Sequence, residues 1–193
     1  MTRGTAAAEK AIVRRAVLAR RRARPDAARQ RAGHDLARAL APLVQQARTV
    51  AAYAALPGEP PTAPLLEALA GRSVLLPVLD DDGDLDWAAA GAPLAPGVRG
   101  TRHPAGPRLG RDALAGCDLV VVPALSVDRR GVRLGRGGGA YDRALRRARG
   151  LVVALVFDDE VVDRLPEDAH DVRIDACATP GAGLHRALGK MAP

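Results

Sequence analysis

The residues best suited to chemistry lie in one stretch, Gly131-Val132-Arg133-Leu134-Gly135-Arg136-Gly137-Gly138-Gly139-Ala140-Tyr141-Asp142-Arg143. Five glycines within residues 131–139 permit positive φ and let backbone N–H groups approach a ligand closely. Arg133 and Arg136 add forked donors suited to phosphate oxygens. The stretch follows a strand pattern and leads into an Arg-rich helical pattern, so the helix N-terminus adds partial positive charge. A polyphosphate is the natural ligand. There is no Gly-Lys-Ser/Thr ending, so this is not a Walker A loop. Gly135, Gly137 and Gly139 also lie outside the first strand–helix turn, where a dinucleotide fingerprint belongs. Lys10 and Arg14 are four apart on a helical pattern and share a face. Lys10 and Lys190 are the only lysines among 29 basic residues, so a lysine at position 10 is not the default choice. Glu59 follows a strand at its carboxyl end. Asp142 falls in the first turn of a helix, where it suits the dipole, and Asp175 reads as a strand-edge charge.

The elements that must position these groups alternate. Residues 5–24 read as a basic helix stopped by Pro25. Asp26 is placed to cap a second helix over roughly 27–46, with Leu36, Leu40, Leu43 and Val44 inward. Thr49–Leu56 reads as a strand, Thr62–Ala70 as a helix and Ser73–Leu76 as a strand ended by Pro77. Asp80–Asp84 reads as a solvated hairpin turn between arms 78–79 and 85–88. Residues 91–110 form a Gly/Pro/Arg-rich excursion without periodicity, and long loops in compact domains are often functional. Asp118–Val122 is an apolar run of a strand buried on both faces. After the glycines come a helix over about 139–149, a strand at Leu151–Phe157, a short helix at Asp159–Leu165 and a last strand at Val172–Cys177. This order predicts one domain, 1–193. Its fold class is an α/β/α sandwich, three layers around a Rossmann-like, mostly parallel sheet, with ligands at the carboxyl ends of the strands.

Composition narrows the function classes. Hydrophobic residues make up 48% of the chain, enough for a packed core, yet the aromatics are only Tyr53, Trp87, Tyr141 and Phe157. The core must rest on Ala, Val and Leu, and stacking surface for bases is scarce. No apolar run reaches the ~20 residues of a membrane span, and the expected location is cytoplasmic. Cys117 and Cys177 read as buried free thiols. The net charge of +7 is concentrated: residues 1–31 carry ten Lys or Arg and two acids. A basic helix there suits nucleic acid, an acidic surface or a polyphosphate. The whole-chain charge is weak support for nucleic acid.

Asp118-Leu-Val-Val-Val-Pro-Ala-Leu-Ser-Val-Asp128, followed by the glycine-rich stretch, resembles the signature of the 5-formyltetrahydrofolate cyclo-ligase family. Lys10-Ala-Ile-Val-Arg14, Tyr53-Ala-Ala-Leu-Pro-Gly-Glu59 and His170-Asp-Val-Arg-Ile-Asp175 with Thr179-Pro180 agree in order and spacing. The resemblance implies a Rossmann-like α/β/α fold. It implies Mg²⁺- and ATP-dependent closure of 5-formyltetrahydrofolate to 5,10-methenyltetrahydrofolate, releasing ADP and phosphate. It assigns ATP to Lys10, Arg14 and the run Arg133, Leu134, Gly135, Arg136, Gly137, Gly138, Gly139, Ala140 and Tyr141, with the 1–24 helix packed on that site. Arg133, Arg136 and Tyr141 take catalytic roles. Tyr53, Glu59, Arg136 and Tyr141 contact the reduced folate, and Asp142 and Asp175 hold Mg²⁺. The chain departs from the family pattern at Ala140 and Val127, where aromatics are usual, and at His103, where an acid is common. Those changes predict an intact nucleotide half and a widened folate pocket. The rival readings are an ATP-dependent enzyme with a changed substrate, and a nucleic-acid-binding protein using the basic helices.

Overall fold

The computed structural model describes residues 3–187; Lys190 and the two ends of the expected 1–193 domain lie outside the described residues. The chain opens with α1 (Arg3–Ala23) and α2 (Asp26–Gln46), then β1 (Thr49–Ala51), α3 (Ala63–Ala68), β2 (Ser73–Leu79) and β3 (Leu85–Ala89). A small hairpin follows, β4 (Leu94–Pro96) and β5 (Arg102–Pro104), before β6 (Leu119–Pro123), β7 (Ser126–Asp128) and β8 (Arg133–Leu134). The rest is α4 (Ala140–Leu145), β9 (Leu151–Leu155), β10 (Val161–Val162), β11 (Ala176–Thr179) and β12 (Gly183–Arg186). No helix among these residues is long and apolar enough to cross a membrane.

Seven strands form the central sheet in the order β12-β11-β9-β6-β1-β2-β3. The inner pairs are parallel, and β3 and β12 close the two edges antiparallel. One face packs Leu36, Leu40 and Val44 of α2 and Leu65 of α3 against Val50, Leu119, Val121 and Val153. The other packs Ala144 and Leu145 of α4, with Trp87 and Leu114, against Val120, Val122 and Val152. The alternation of inward residues along β6 thus serves two cores, and the three-layer α/β/α expectation holds.

Several local expectations change. The strand at 73–76 runs on through Pro77, because β1 is too short to reach that position. Pro77 pairs only with Trp87 of β3, so its missing N–H interrupts nothing on the β1 side. The first strand ends at Ala51 rather than Leu56. Pro25 takes the cap position of α2, and Asp26 sits in the first turn instead. The helix expected over 159–165 is a single 3₁₀ turn, Asp158–Glu160, followed by β10. Val161 and Val162 pair with Val127 and Asp128, and β10-β7-β8 makes a second small sheet. The strand expected over 172–177 starts at Ala176, and β12 follows it.

The Asp80–Asp84 turn joins β2 and β3 as expected, with Asp81 and Asp82 exposed, and it is also an ion-pair hub. Asp84 accepts both Arg147 Nη atoms, at 3.1 and 2.8 Å, and its own neighbour's N–H at Leu85. Arg111 reaches Asp80 and Asp82, and Arg143 Nη2 donates to the Gly83 carbonyl at 2.6 Å. The hub ties the β2–β3 hairpin to the region of α4. Burial by itself raises the Asp84 pKa; the Arg147 fork and the Leu85 N–H outweigh it, and the carboxyl ionises below its usual range. A depressed folded-state pKa stabilises at pH above the unfolded value and is lost as pH falls through the folded one. Asp84→Asn is therefore expected to cost about 1–3 kcal/mol at neutral pH. The gap in Tm between wild type and variant should close as pH drops below about 4; a gap that persists there would assign the loss to packing.

Candidate active site

Strands β1 and β6 are parallel neighbours, yet the chain leaves β1 towards β2 and leaves β6 towards β9. Connections that diverge in this way leave a crevice at the carboxyl ends of the two strands. A cleft of about 430 Å³ opens there. Tyr53, Leu56 and Glu59 beyond β1, with Pro123 at the end of β6 and Ala124 and Leu125 beyond it, line it there.

The glycine-rich loop is one wall. α4 is only six residues long, so the positive character of this wall rests on arginines more than on a helix dipole. Gly135, Gly137, Gly138 and Gly139 each face one. Arg133 Nη1 lies 2.8 Å from where a Cβ on Gly135 would stand, Arg99 Nη1 3.0 Å from that of Gly138, and Arg143 Nη1 2.9 Å from that of Gly139. The Arg14 guanidinium carbon is 3.5 Å from that of Gly137. Side chains here would compete with the guanidiniums for space. Gly137 and Gly139 also take left-handed φ of 100° and 69°, which other residues adopt only at a cost. Arg14 Nε donates to the Gly135 carbonyl at 2.9 Å, fastening α1 to the loop.

Lys10, 6% exposed, also faces the cleft. Its ammonium donates to Asp168 Oδ2 at 2.8 Å and, closer still, to Asp171 Oδ2. Burial alone would lower its pKa; the two carboxylates outweigh that and hold it above the usual lysine value. Asp168, His170 and Asp171 all line the cleft, and sequence reasoning left Asp168 and Asp171 without a role. The signal was the density of acids in Glu167-Asp168-Ala169-His170-Asp171.

Arg133 is buried. Its Nη2 donates to Asp142 Oδ1 at 2.8 Å, and its guanidinium sits 5.8 Å from the Tyr141 ring centre. Arg136 Nε donates to Glu59 Oε1 at 3.1 Å, and Glu59 Oε2 accepts the Leu56 N–H. Arg136 so joins the loop to the β1 side. Burial, with Glu59 nearby, pushes both tyrosine hydroxyls, Tyr53 and Tyr141, well above their usual value. Both are neutral hydrogen-bonding groups at any working pH, not phenolate bases. Tyr53 Oη and Arg133 Nε are buried without a partner among the described residues, and both residues line the cleft. Buried polar groups normally find a partner.

Lys10, Arg14, Tyr53, Glu59 and the whole run Arg133–Asp142 are brought together as expected. Asp175 is not. Its Oδ2 accepts the Val152 N–H at 2.8 Å at the start of β9, the amino end of the strands. Asp142 and Asp175 therefore do not share the cleft. Val127 is 2% exposed in the sheet core, paired with Arg133 and Val161, so its replacement opens no ligand pocket. Ala140 does line the cleft. Cys117 and Cys177 are free and buried, with thiols pushed up to about 11 by burial.

Fold and cleft define an α/β protein with a cation-rich cleft at the switch point of its sheet. The chain belongs to the 5-formyltetrahydrofolate cyclo-ligase family, whose model matches residues 6–180. It is 39% identical to the 5-formyltetrahydrofolate cyclo-ligase of Mycolicibacterium smegmatis, over 91% of this chain and 95% of that one. Against the Escherichia coli cyclo-ligase the identity is 35%, over 72% and 81%. The solved structure of Aquifex aeolicus 5,10-methenyltetrahydrofolate synthetase superposes with a TM-score of 0.81 at 29% identity, covering 95% of both chains.

Proposed function

We propose that this chain is a cytoplasmic enzyme that uses ATP to close 5-formyltetrahydrofolate to 5,10-methenyltetrahydrofolate, releasing ADP and phosphate. The observation that carries the reading is the charge of the cleft. Lys10, Arg14, Arg99, Arg102, Arg133 and Arg136 face Glu59, Asp142, Asp168 and Asp171 there, an excess of cations suited to a triphosphate.

The formyl oxygen is a poor leaving group, so ATP phosphorylates it. Folate N10 then attacks the formyl carbon and phosphate departs. The protein's task is to hold two substrates in line and to screen charge on the moving phosphoryl group. The loop 135–139 offers backbone N–H groups, Arg14 and Arg133 offer forked donors, and Lys10 stands at the same wall. Glu59, buried and held by Arg136, is placed to accept from the polar ring of the folate. Tyr53 and Tyr141 flank it as neutral hydroxyls with flat apolar faces. The carboxylates on the cleft wall, Asp142, Asp168 and Asp171, are hard oxygen donors of the kind Mg²⁺ takes. Mg²⁺ bound there would supply further screening of phosphate oxygens. Asp142, not Asp175, is the carboxylate from the sequence reading that fits this role.

The internal pairing of the N-terminal arginines argues against nucleic acid as the partner. Arg20 and Arg24 meet Asp159, and Arg21 meets Glu160. The test is direct: the protein with MgATP and 5-formyltetrahydrofolate should develop methenyl absorbance that vanishes without ATP. ATP hydrolysis without methenyl product would instead favour a changed substrate.

A further inference from the structure

Arg99 stands apart from the other cations of the cleft. Lys10 is paired with Asp168 and Asp171, Arg133 with Asp142, and Arg136 with Glu59. Arg14 is bonded to the Gly135 carbonyl and Arg102 Nη2 to the Leu94 carbonyl. Arg99 has no hydrogen bond or ion pair among the described residues, although its Nη1 stands 3.0 Å from where a Cβ on Gly138 would lie.

The backbone that carries it is unusual. Arg99 sits at the tip of the β4–β5 hairpin with φ 55° and ψ 28°, the only non-glycine residue with positive φ among those described. That conformation costs an L-residue energy, and such outliers gather at functional sites when their surroundings enforce them. The surroundings do so here. The Gly97 N–H donates to the Thr101 carbonyl at 2.8 Å, and the Thr101 N–H and hydroxyl both donate to the Val98 carbonyl. The tip is a closed turn that holds Arg99 towards the glycine loop, within the 91–110 stretch that shows no periodicity in the sequence.

We propose that Arg99 is a phosphate-binding residue, brought by the 94–104 hairpin onto the triphosphate that the Gly135–Gly139 loop holds. It needs to break no bond among the described residues to meet the anion. Lys10, by contrast, must share or leave its two carboxylates. The assignment rests on the nucleotide reading of the cleft.

Arg99→Ala and Arg99→Gly in the full-length chain separate charge from backbone. Both remove the guanidinium; only glycine relaxes the left-handed turn. Calorimetry should show MgATP affinity reduced about tenfold in both, as loss of a charged hydrogen bond predicts. Adenosine affinity should be unchanged, and Arg99→Lys should recover part of the loss. MgATP affinity within twofold of wild type would overturn the proposal. So would a loss seen in the alanine variant alone, which would assign the effect to the turn. A loss confined to the KM for 5-formyltetrahydrofolate would place Arg99 on a folate carboxylate and overturn it too. A wild type that binds MgATP but forms no methenyl product would end the cyclo-ligase reading while leaving this comparison decisive. A wild type that binds no nucleotide would end both.

Discussion

Asp142→Asn is expected to lower the rate of ATP-dependent cyclisation by about 100-fold or more while leaving the fold intact. Asp142 is the carboxylate that touches two parts of the site at once. Its Oδ1 accepts from Arg133 Nη2 at 2.8 Å and from the Val172 N–H at 3.4 Å. It also lines the cleft beside the loop proposed to hold the phosphates. Asparagine keeps an acceptor for Arg133 and Val172 but removes the charge, so a metal donor and the counter-charge of the buried Arg133 are lost. Asp142→Ala removes the acceptor as well, and leaves the Arg133 Nη2 and Val172 N–H without it. The alanine variant should therefore lose more Tm than the asparagine variant at a similar loss of rate, and the comparison of the two separates chemistry from support. Steady-state rates over a range of Mg²⁺ concentration supply the check. A requirement for much higher Mg²⁺ in Asp142→Asn fits the assignment, whereas near-normal turnover at ordinary Mg²⁺ would remove Asp142 from the metal site.

What could be read in the sequence divides along physical lines. The parallel sheet was legible because β6 and β9 are unbroken apolar runs, which only a strand covered on both faces requires. The glycine loop was legible because its arginines and glycines are adjacent in sequence. Asp175 was misplaced because a motif assigns a residue, not the direction of its side chain. In the extended stretch 172–175 the chain travels from the cleft to the amino end of the sheet, where Asp175 meets Val152. Asp168 and Asp171 went without a role because their partner, Lys10, is more than 150 residues away. Arg99 is hidden for a related reason: nothing in a Gly/Pro/Arg-rich excursion marks which arginine faces inward. The helix expected over 159–165 fails on a single side chain. Glu160 falls within that helical pattern, but its side chain is needed in the interior, and the chain turns to deliver it there.

That interior acid carries the largest stability prediction. Glu160 is fully buried and Arg21 nearly so; Arg21 Nε and Nη2 each donate to one carboxylate oxygen at 2.7 Å. Arg21 Nη2 also donates to the Ala124 carbonyl in the cleft lining. Glu160 Oε2 accepts the Phe157 N–H, Ser126 donates to the Glu160 carbonyl, and Arg24 stacks 3.9 Å from the Phe157 ring centre. Removing one partner leaves an uncompensated charge in the interior, which typically costs about 3–5 kcal/mol. Arg21→Met and Glu160→Met should each lower Tm by about 10 °C in a chain of this size. Replacing both should recover much of the loss, because the pair's mutual attraction mostly offsets its desolvation. The functional consequence follows from the helix. Lys10, Arg14, Val17 and Arg21 recur at i, i+4, i+7 and i+11, one stripe of α1, so the anchor at Arg21 sets where Lys10 and Arg14 stand. The double variant should thus regain stability without regaining nucleotide affinity. Its Tm and its Kd for MgATP, measured together, would show whether the ion pair serves the position of α1 or only the core; full recovery of both would leave it a purely structural pair.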